Sequence, residues 1–273
     1  MSDLLRLLRA HNLVVAAAGV LAGGWIALGR LGMPAPLVWA ALSGVGLGAV
    51  GNVLNDIWDE AGDRANARAD RPLAAGRVGR GTADLVALWG TLVGLASAAL
   101  VSGTLFALAV VALIVMAAYS PVLKRSGFRG NLTVAVVAGF PLAYGALAAG
   151  DVIPGLVPWL LAAWLHLGRE VAKDLVDVEG DRVIGRRTLP IVWGDDRTRR
   201  LALVVLWSFV PVSLVLPVVT DFGAEYYLLA PLAEVAVIAA AMALRRGLTD
   251  QAIRRLKYAM PLGVAALVLG RLG

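Results

Sequence analysis

Long apolar blocks free of charge alternate along this chain with short, strongly charged segments. Residues 10–29, 31–55, 85–123, 130–150, 152–168 and 201–220 contain no Asp, Glu, Lys or Arg. A helix crosses the hydrocarbon of a bilayer with about 20 apolar residues. Nine spans are therefore predicted, near residues 12–29, 36–54, 83–101, 104–120, 131–149, 152–169, 201–219, 224–244 and 254–271. The block 85–123 is too long for one helix, and Ser102-Gly103 supplies the turn that divides it. The eighth span carries Glu234 near its middle, and the ninth is short and opens on basic residues. The pattern predicts an all-α, polytopic membrane protein whose single domain covers residues 1–273.

Composition agrees. Of the 273 residues 59% are apolar and 16% charged, with a mean hydropathy of +0.78, against roughly 45–50% and about 25% in soluble domains. The apolar stretch after Arg9 runs past any plausible cleavage point, so no signal peptide is expected. Cysteine is absent and histidine is limited to His11 and His166. Disulfides, thiolate nucleophiles and zinc–thiolate centres are thereby excluded, and metal chemistry would rest on carboxylates and hard cations such as Mg²⁺. The net charge of +6 calls for no nucleic-acid partner, because basic residues gather in cytoplasmic loops. With Arg6 and Arg9 in the cytoplasm, alternate loops place all 25 Lys and Arg residues on that side except Arg30 and Arg271. Gly19/Gly23, Gly44/Gly48 and Gly90/Gly94 are spaced to let helices approach closely.

Two charged segments stand apart. Residues 55–64 read NDIWDEAGDR and residues 173–182 read KDLVDVEGDR. A shift of 118 positions lays Asp56, Asp59, Gly62, Asp63 and Arg64 on Asp174, Asp177, Gly180, Asp181 and Arg182. It also lays Asn52 on Glu170 and Leu73 close to Leu189-Pro190. Each copy ends an even-numbered span, so an internal duplication of a four-helix unit is expected, with repeat-like halves near 10–125 and 130–245. On a helix, positions i, i+3 and i+7 share a face. Asp56, Asp59 and Asp63 therefore form one stripe, and Asp174, Asp177 and Asp181 another. Like charges so spaced repel unless cations bridge them, and ionisable groups near the membrane mark functional sites. Two facing stripes would bind divalent cations and, through them, a diphosphate. Arg64, Arg68, Arg71, Lys124, Arg125, Lys173 and Arg182 could take the remaining phosphate oxygens.

The paired N-D-x-x-D-x-x-x-D and D-x-x-D-x-x-x-D motifs resemble the signature of the UbiA-type intramembrane prenyltransferase superfamily. Arg71-Pro72-Leu73 with Gly76-Arg77, and Tyr119-Ser120 followed by Leu123-Lys124-Arg125 and Gly130-Asn131, resemble further segments of that family. The resemblance implies nine transmembrane helices around a central cavity, with Mg²⁺ bridging the Asp motifs to a prenyl diphosphate and a lateral opening for a lipid-like acceptor. It assigns Asn55, Asp59 and Asp63 with Asp174, Asp177 and Asp181 to the metals, Arg71 and Lys124 to phosphate, and Tyr119 to the allylic cation. Asn12, in a segment like the family's R-x-x-N, would meet substrate phosphate. Such chemistry needs charge stabilisation on the departing diphosphate and exclusion of water from the cation.

Residues 169–182 together with Gly185, Thr188, Leu189, Pro190 and Ile191 most resemble the branch that makes archaeal-type ether lipids by prenylating geranylgeranylglyceryl phosphate. Arg9, Arg64, Arg68 and Lys173 are surplus cations for an acceptor that carries its own phosphate. Aromatic-acceptor prenyltransferases of the quinone, tocopherol or chlorophyll type remain the alternative, as does a prenyl-diphosphate cyclase. A divalent-cation or anionic-lipid transporter is disfavoured because both acidic clusters end their spans instead of lying at the midplane. Glu234 is read as an interhelical hydrogen-bond partner, with a cavity acid as the alternative.

Overall fold

The computed structural model describes residues 2–65, 68–119, 123, 127–183 and 185–272. Among these residues the chain is helical throughout: α1 (Asp3–Leu7), α2 (Ala10–Leu28), α3 (Ala35–Ala65), α4 (Arg80–Ala99), α5 (Gly103–Tyr119), α6 (Phe128–Ala148), α7 (Ile153–Val183), α8 (Leu189–Trp193), α9 (Asp195–Val215), α10 (Ala224–Arg245) and α11 (Thr249–Leu272). A 3-10 turn, Leu216–Thr220, extends α9.

Each of the nine expected spans overlaps a helix, with residue 120 of the fourth outside the described residues. Among the described residues six helices are long and apolar enough to cross a membrane, namely α2, α3, α4, α6, α9 with its 3-10 extension, and α10; α5 is a shorter apolar helix. The count of nine is not reached on length and composition. Polar residues are the reason: α7 continues from its apolar part into Arg169, Glu170 and the second aspartate stripe, and α11 opens with Asp250, Arg254, Arg255 and Lys257.

The offset of 118 recurs in the backbone. Shifted by that amount, the limits of α3 coincide with those of α7, and both helices have 31 residues. The residue before each repeat's first helix is also equivalent: Arg9 has φ +49° and Gly127 has φ +57°. Glycine takes that left-handed conformation freely, whereas arginine adopts it at a cost and needs outside support.

The chain divides into two compact units, one formed by Met1–Leu21 and Met33–Leu123, the other by Ala22–Gly32 and Lys124–Gly273. Helix α2 thus changes allegiance after Leu21. In the first unit, α3 carries the stripe and packs along α4. A Cβ on Gly46 would stand 2.7 Å from the Gly90 carbonyl oxygen and 2.7 Å from the Gly94 nitrogen, so the two backbones touch there. Leu7, Val53, Leu73, Val78 and Ala83 close a small core around α1, α3 and the loop that follows α3. In the second unit, α6 lies along α7, with Gly139 against the Trp159 carbonyl. Gly23 of α2 sits directly on the Leu142 backbone of α6. The Asp151 carboxylate accepts the Ile153 N–H and caps α7. A large apolar core unites α7, α9, α10 and α11 through residues such as Leu165, Leu206, Val237 and Leu256.

Gly46→Ala should force α3 and α4 apart and cost about 1–3 kcal/mol, the usual range for overpacking. Thermal unfolding in detergent would register this as a lower midpoint. Gly81→Ala, where nothing lies within 4 Å of the new methyl group, serves as the control.

Candidate active site

The first stripe is built on the last turns of α3. Asp56, 2% exposed, receives two guanidinium groups on its Oδ1, from Arg9 Nη2 at 2.5 Å and Arg71 Nη1 at 2.7 Å. Its Oδ2 is buried without a hydrogen-bond partner. The Arg71 Nε lies 3.8 Å from Asp63 Oδ2 and 3.9 Å from Asp70 Oδ2, and it is likewise buried without a hydrogen bond. One turn earlier, the Asn52 amide donates to the Leu8 carbonyl at 2.8 Å. Asn55, Asp59 and Asp63 are half-buried along the same helix.

The expected basic residues divide. Arg71 reaches the stripe. Arg64 pairs with Glu60 at 2.7 Å and donates to the Ala74 carbonyl. Arg68 forms a two-pronged contact with Asp70, at 2.8 and 2.9 Å. That hydrogen bonding holds the Asp70 carboxyl well below the usual range, at about 2, so Asp70 stays ionised and keeps Arg68 engaged. Arg9 is committed to Asp56. Tyr119 is the half-buried last residue of α5, and Asn12 is exposed in the first turn of α2. Lys124 and Arg125 lie outside the described residues.

The second stripe occupies the last turns of α7. Asp174 accepts the Asn131 amide of α6 at 2.8 Å, and the Leu189 backbone N–H at the start of α8 faces the same carboxylate. Asp181, 5% exposed, receives Arg186 Nη1 at 2.9 Å. Asp177 is exposed. Lys173 lies 3.7 Å from Glu170 Oε2, while Glu170 Oε1 takes the Arg169 guanidinium at 2.6 Å. Further along, Ser213 donates to Glu234 at 2.9 Å, joining α9 to α10 as the interhelical reading expected.

Sequence reasoning assigned no part to Asn131 or Arg186. Asn131 was visible in the Gly130-Asn131 segment, but its partner lies 43 positions away. Arg186 sits in a basic loop that carries no periodic signal, and only the turn after α7 brings it back to Asp181.

Among the described residues no group of three His, Cys, Asp or Glu side chains converges on a metal position. The donor set nevertheless suits Mg²⁺, which prefers oxygen ligands and usually takes only one or two carboxylates, filling its octahedron with water and substrate phosphates. Neighbours on a helix face sit about 5–6 Å apart at Cβ, so a stripe offers its oxygens singly.

Residues 16–263 match the UbiA prenyltransferase family. The chain belongs to that family. Similar relatives include digeranylgeranylglyceryl phosphate synthases from Thermococcus gammatolerans, 37% identical over 87% of this chain and 85% of the relative, and from Methanopyrus kandleri, 35% identical over 97% of each chain. Among solved structures, a digeranylgeranylglyceryl phosphate synthase superposes with a TM-score of 0.81 at 25% identity, covering 99% of this chain and 98% of that one. A UbiA homolog from Archaeoglobus fulgidus bound to GPP and Mg²⁺ shares the fold, with a TM-score of 0.73 at 18% identity and coverage of 97% and 99%. This UbiA-family chain is a multi-pass membrane prenyltransferase with its acidic stripes on α3 and α7.

Proposed function

We propose that the chain transfers a prenyl group, in an Mg²⁺-dependent reaction, from a prenyl diphosphate to the free hydroxyl of geranylgeranylglyceryl phosphate, a step of ether-lipid synthesis. The observation that carries this reading is the 35% identity to a digeranylgeranylglyceryl phosphate synthase across 97% of both chains. The Mg²⁺ seen with GPP in the Archaeoglobus fulgidus homolog points to the same cofactor.

In the reaction the allylic C1–O bond breaks, its electron pair leaves with the diphosphate, an acceptor oxygen bonds to C1, and the hydroxyl proton passes to the diphosphate or a nearby base. Bound Mg²⁺ supplies charge stabilisation for the leaving group. Of the seven expected ligands, Asn55, Asp59, Asp63, Asp177 and Asp181 would hold the metal in this reading, whereas Asp56 is engaged by Arg9 and Arg71 and Asp174 by Asn131. Arg71 and Lys124 hold donor phosphate, and Tyr119 faces the allylic cation. Lys173 serves the acceptor phosphate; it is exposed and only loosely engaged by Glu170. An aliphatic hydroxyl is a weak nucleophile, so holding it close to C1 is a large part of the task.

The aspartate stripes face the cytoplasm and the loop after α2 faces the opposite side in this reading, as the distribution of Lys and Arg implies. The chain has no cysteine, so single-cysteine labelling is clean. Asp196→Cys, at a side chain 91% exposed, should react only from the cytoplasmic side, and Leu31→Cys only from the opposite side. The reverse pattern would invert the topology.

Excess EDTA, Asp59→Asn and Asp177→Asn should each lower turnover by about 10²-fold or more, the scale of losing a main electrostatic stabiliser. Turnover near wild type in either variant would remove that stripe from the reaction. The acceptor is tested by competition: geranylgeranyl diphosphate is supplied with geranylgeranylglyceryl phosphate, 4-hydroxybenzoate and homogentisate, and products are identified by mass spectrometry. The prenylated glycerol ether is expected. A prenylated aromatic alone, or a cyclised hydrocarbon, would overturn the ether-lipid reading.

A further inference from the structure

The first aspartate of each stripe meets two other parts of the chain, whereas Asp181, also buried, receives one arginine of the loop that follows. In the first unit, Asp56 joins three parts of the chain: Arg9 at the entry to α2, α3 itself, and Arg71 in the loop after α3. In the second, Asp174 joins Asn131 in the first turn of α6 to α7 itself and faces the Leu189 N–H that opens α8. Leu189 is the residue that the 118-position shift lays on Arg71. The two repeats use different chemistry, guanidinium groups in one and amide groups in the other, to tie the same places together.

Charge argues the same way. Asp56 carries one negative charge against two guanidinium groups, within a carboxyl 2% exposed. At its Oδ1 a divalent ion would have to displace two guanidinium groups already bound there. The strained left-handed backbone of Arg9 also needs a partner to hold it, and Asp56 supplies one. Leu7, Val53 and Leu73, all buried, pack the same three chain parts together.

We propose that Asp56 and Asp174 are positioning residues, each fastening the loop beyond its helix to the entry of the repeat's first helix, and are not metal ligands. Through Asp56 the guanidinium of Arg71 is aimed; through Asp174 the start of α8 is held. The inference rests on the Mg²⁺–diphosphate reading above and divides the work within each stripe.

The test uses the full-length protein in detergent. Mn²⁺ affinity with inorganic pyrophosphate is read by electron paramagnetic resonance, and backbone mobility by hydrogen exchange. Asp59→Asn should weaken Mn²⁺ binding by about tenfold or more, as loss of a charge-assisted contact does. Asp56→Asn and Asp174→Asn should leave it within about twofold, yet speed amide exchange over residues 68–78 and 186–193 respectively. In turnover, Asp56→Asn should raise KM for the prenyl diphosphate, and adding it to Arg71→Ala should cause no further loss, because the two act as one unit. Mn²⁺ binding weakened in Asp56→Asn or Asp174→Asn as much as in Asp59→Asn would overturn the inference. So would unchanged exchange in both loops. Should Asp56→Asn fail to fold, Asp174→Asn and Asn131→Ala decide the question by the same two readouts. If Asp59→Asn binds Mn²⁺ normally, it is the metal assignment under the proposed function that fails.

Discussion

A helix of 31 residues is about 46 Å long, whereas the hydrocarbon of a bilayer is about 30 Å thick. Both α3 and α7 have that length, so a helix of this kind has roughly ten residues more than a crossing needs. Those residues hold the aspartates. The excess length permits a rigid helix to present carboxylates at a fixed height above the apolar region, where water and a charged diphosphate can reach them. Loops of the same composition would present the same charges without the spacing.

The second requirement is that charge so close to the lipid be compensated before any substrate arrives. In the first unit, Arg9 and Arg71 share Asp56, Glu60 takes Arg64, and Asp70 takes Arg68. In the second, Arg186 covers Asp181 and Arg169 covers Glu170. Buried carboxylates without partners would be far more costly than these pairs are favourable. Cations counted in the sequence as surplus are therefore largely occupied, and Arg71 keeps a donor group unsatisfied beside the first stripe.

Much of the architecture was legible because it follows from hydrophobic length. The helices, the repeat and the placement of both stripes could be read from uncharged blocks and from the five matching positions of the two motifs. Partnership could not. Nothing in the spacing of Asp70 and Glu60 shows that they pair with Arg68 and Arg64. Asn131 and Arg186 reach the stripe only through turns whose geometry local sequence does not encode. The spans expected at 152–169 and 254–271 fall on α7 and α11, which are not apolar enough to count as crossing by length and composition, because apolar and charged residues share those helices.

The division of α2 has a bearing on biogenesis. During synthesis the first unit's elements emerge together, and the early half of α2 finds its partners soon after it leaves the ribosome. Its later half, from Ala22 on, waits for α6, since Gly23 rests on Leu142. More than a hundred residues must be inserted before that contact can form. A contact of long sequence separation thus belongs to the first long helix made, not to the last.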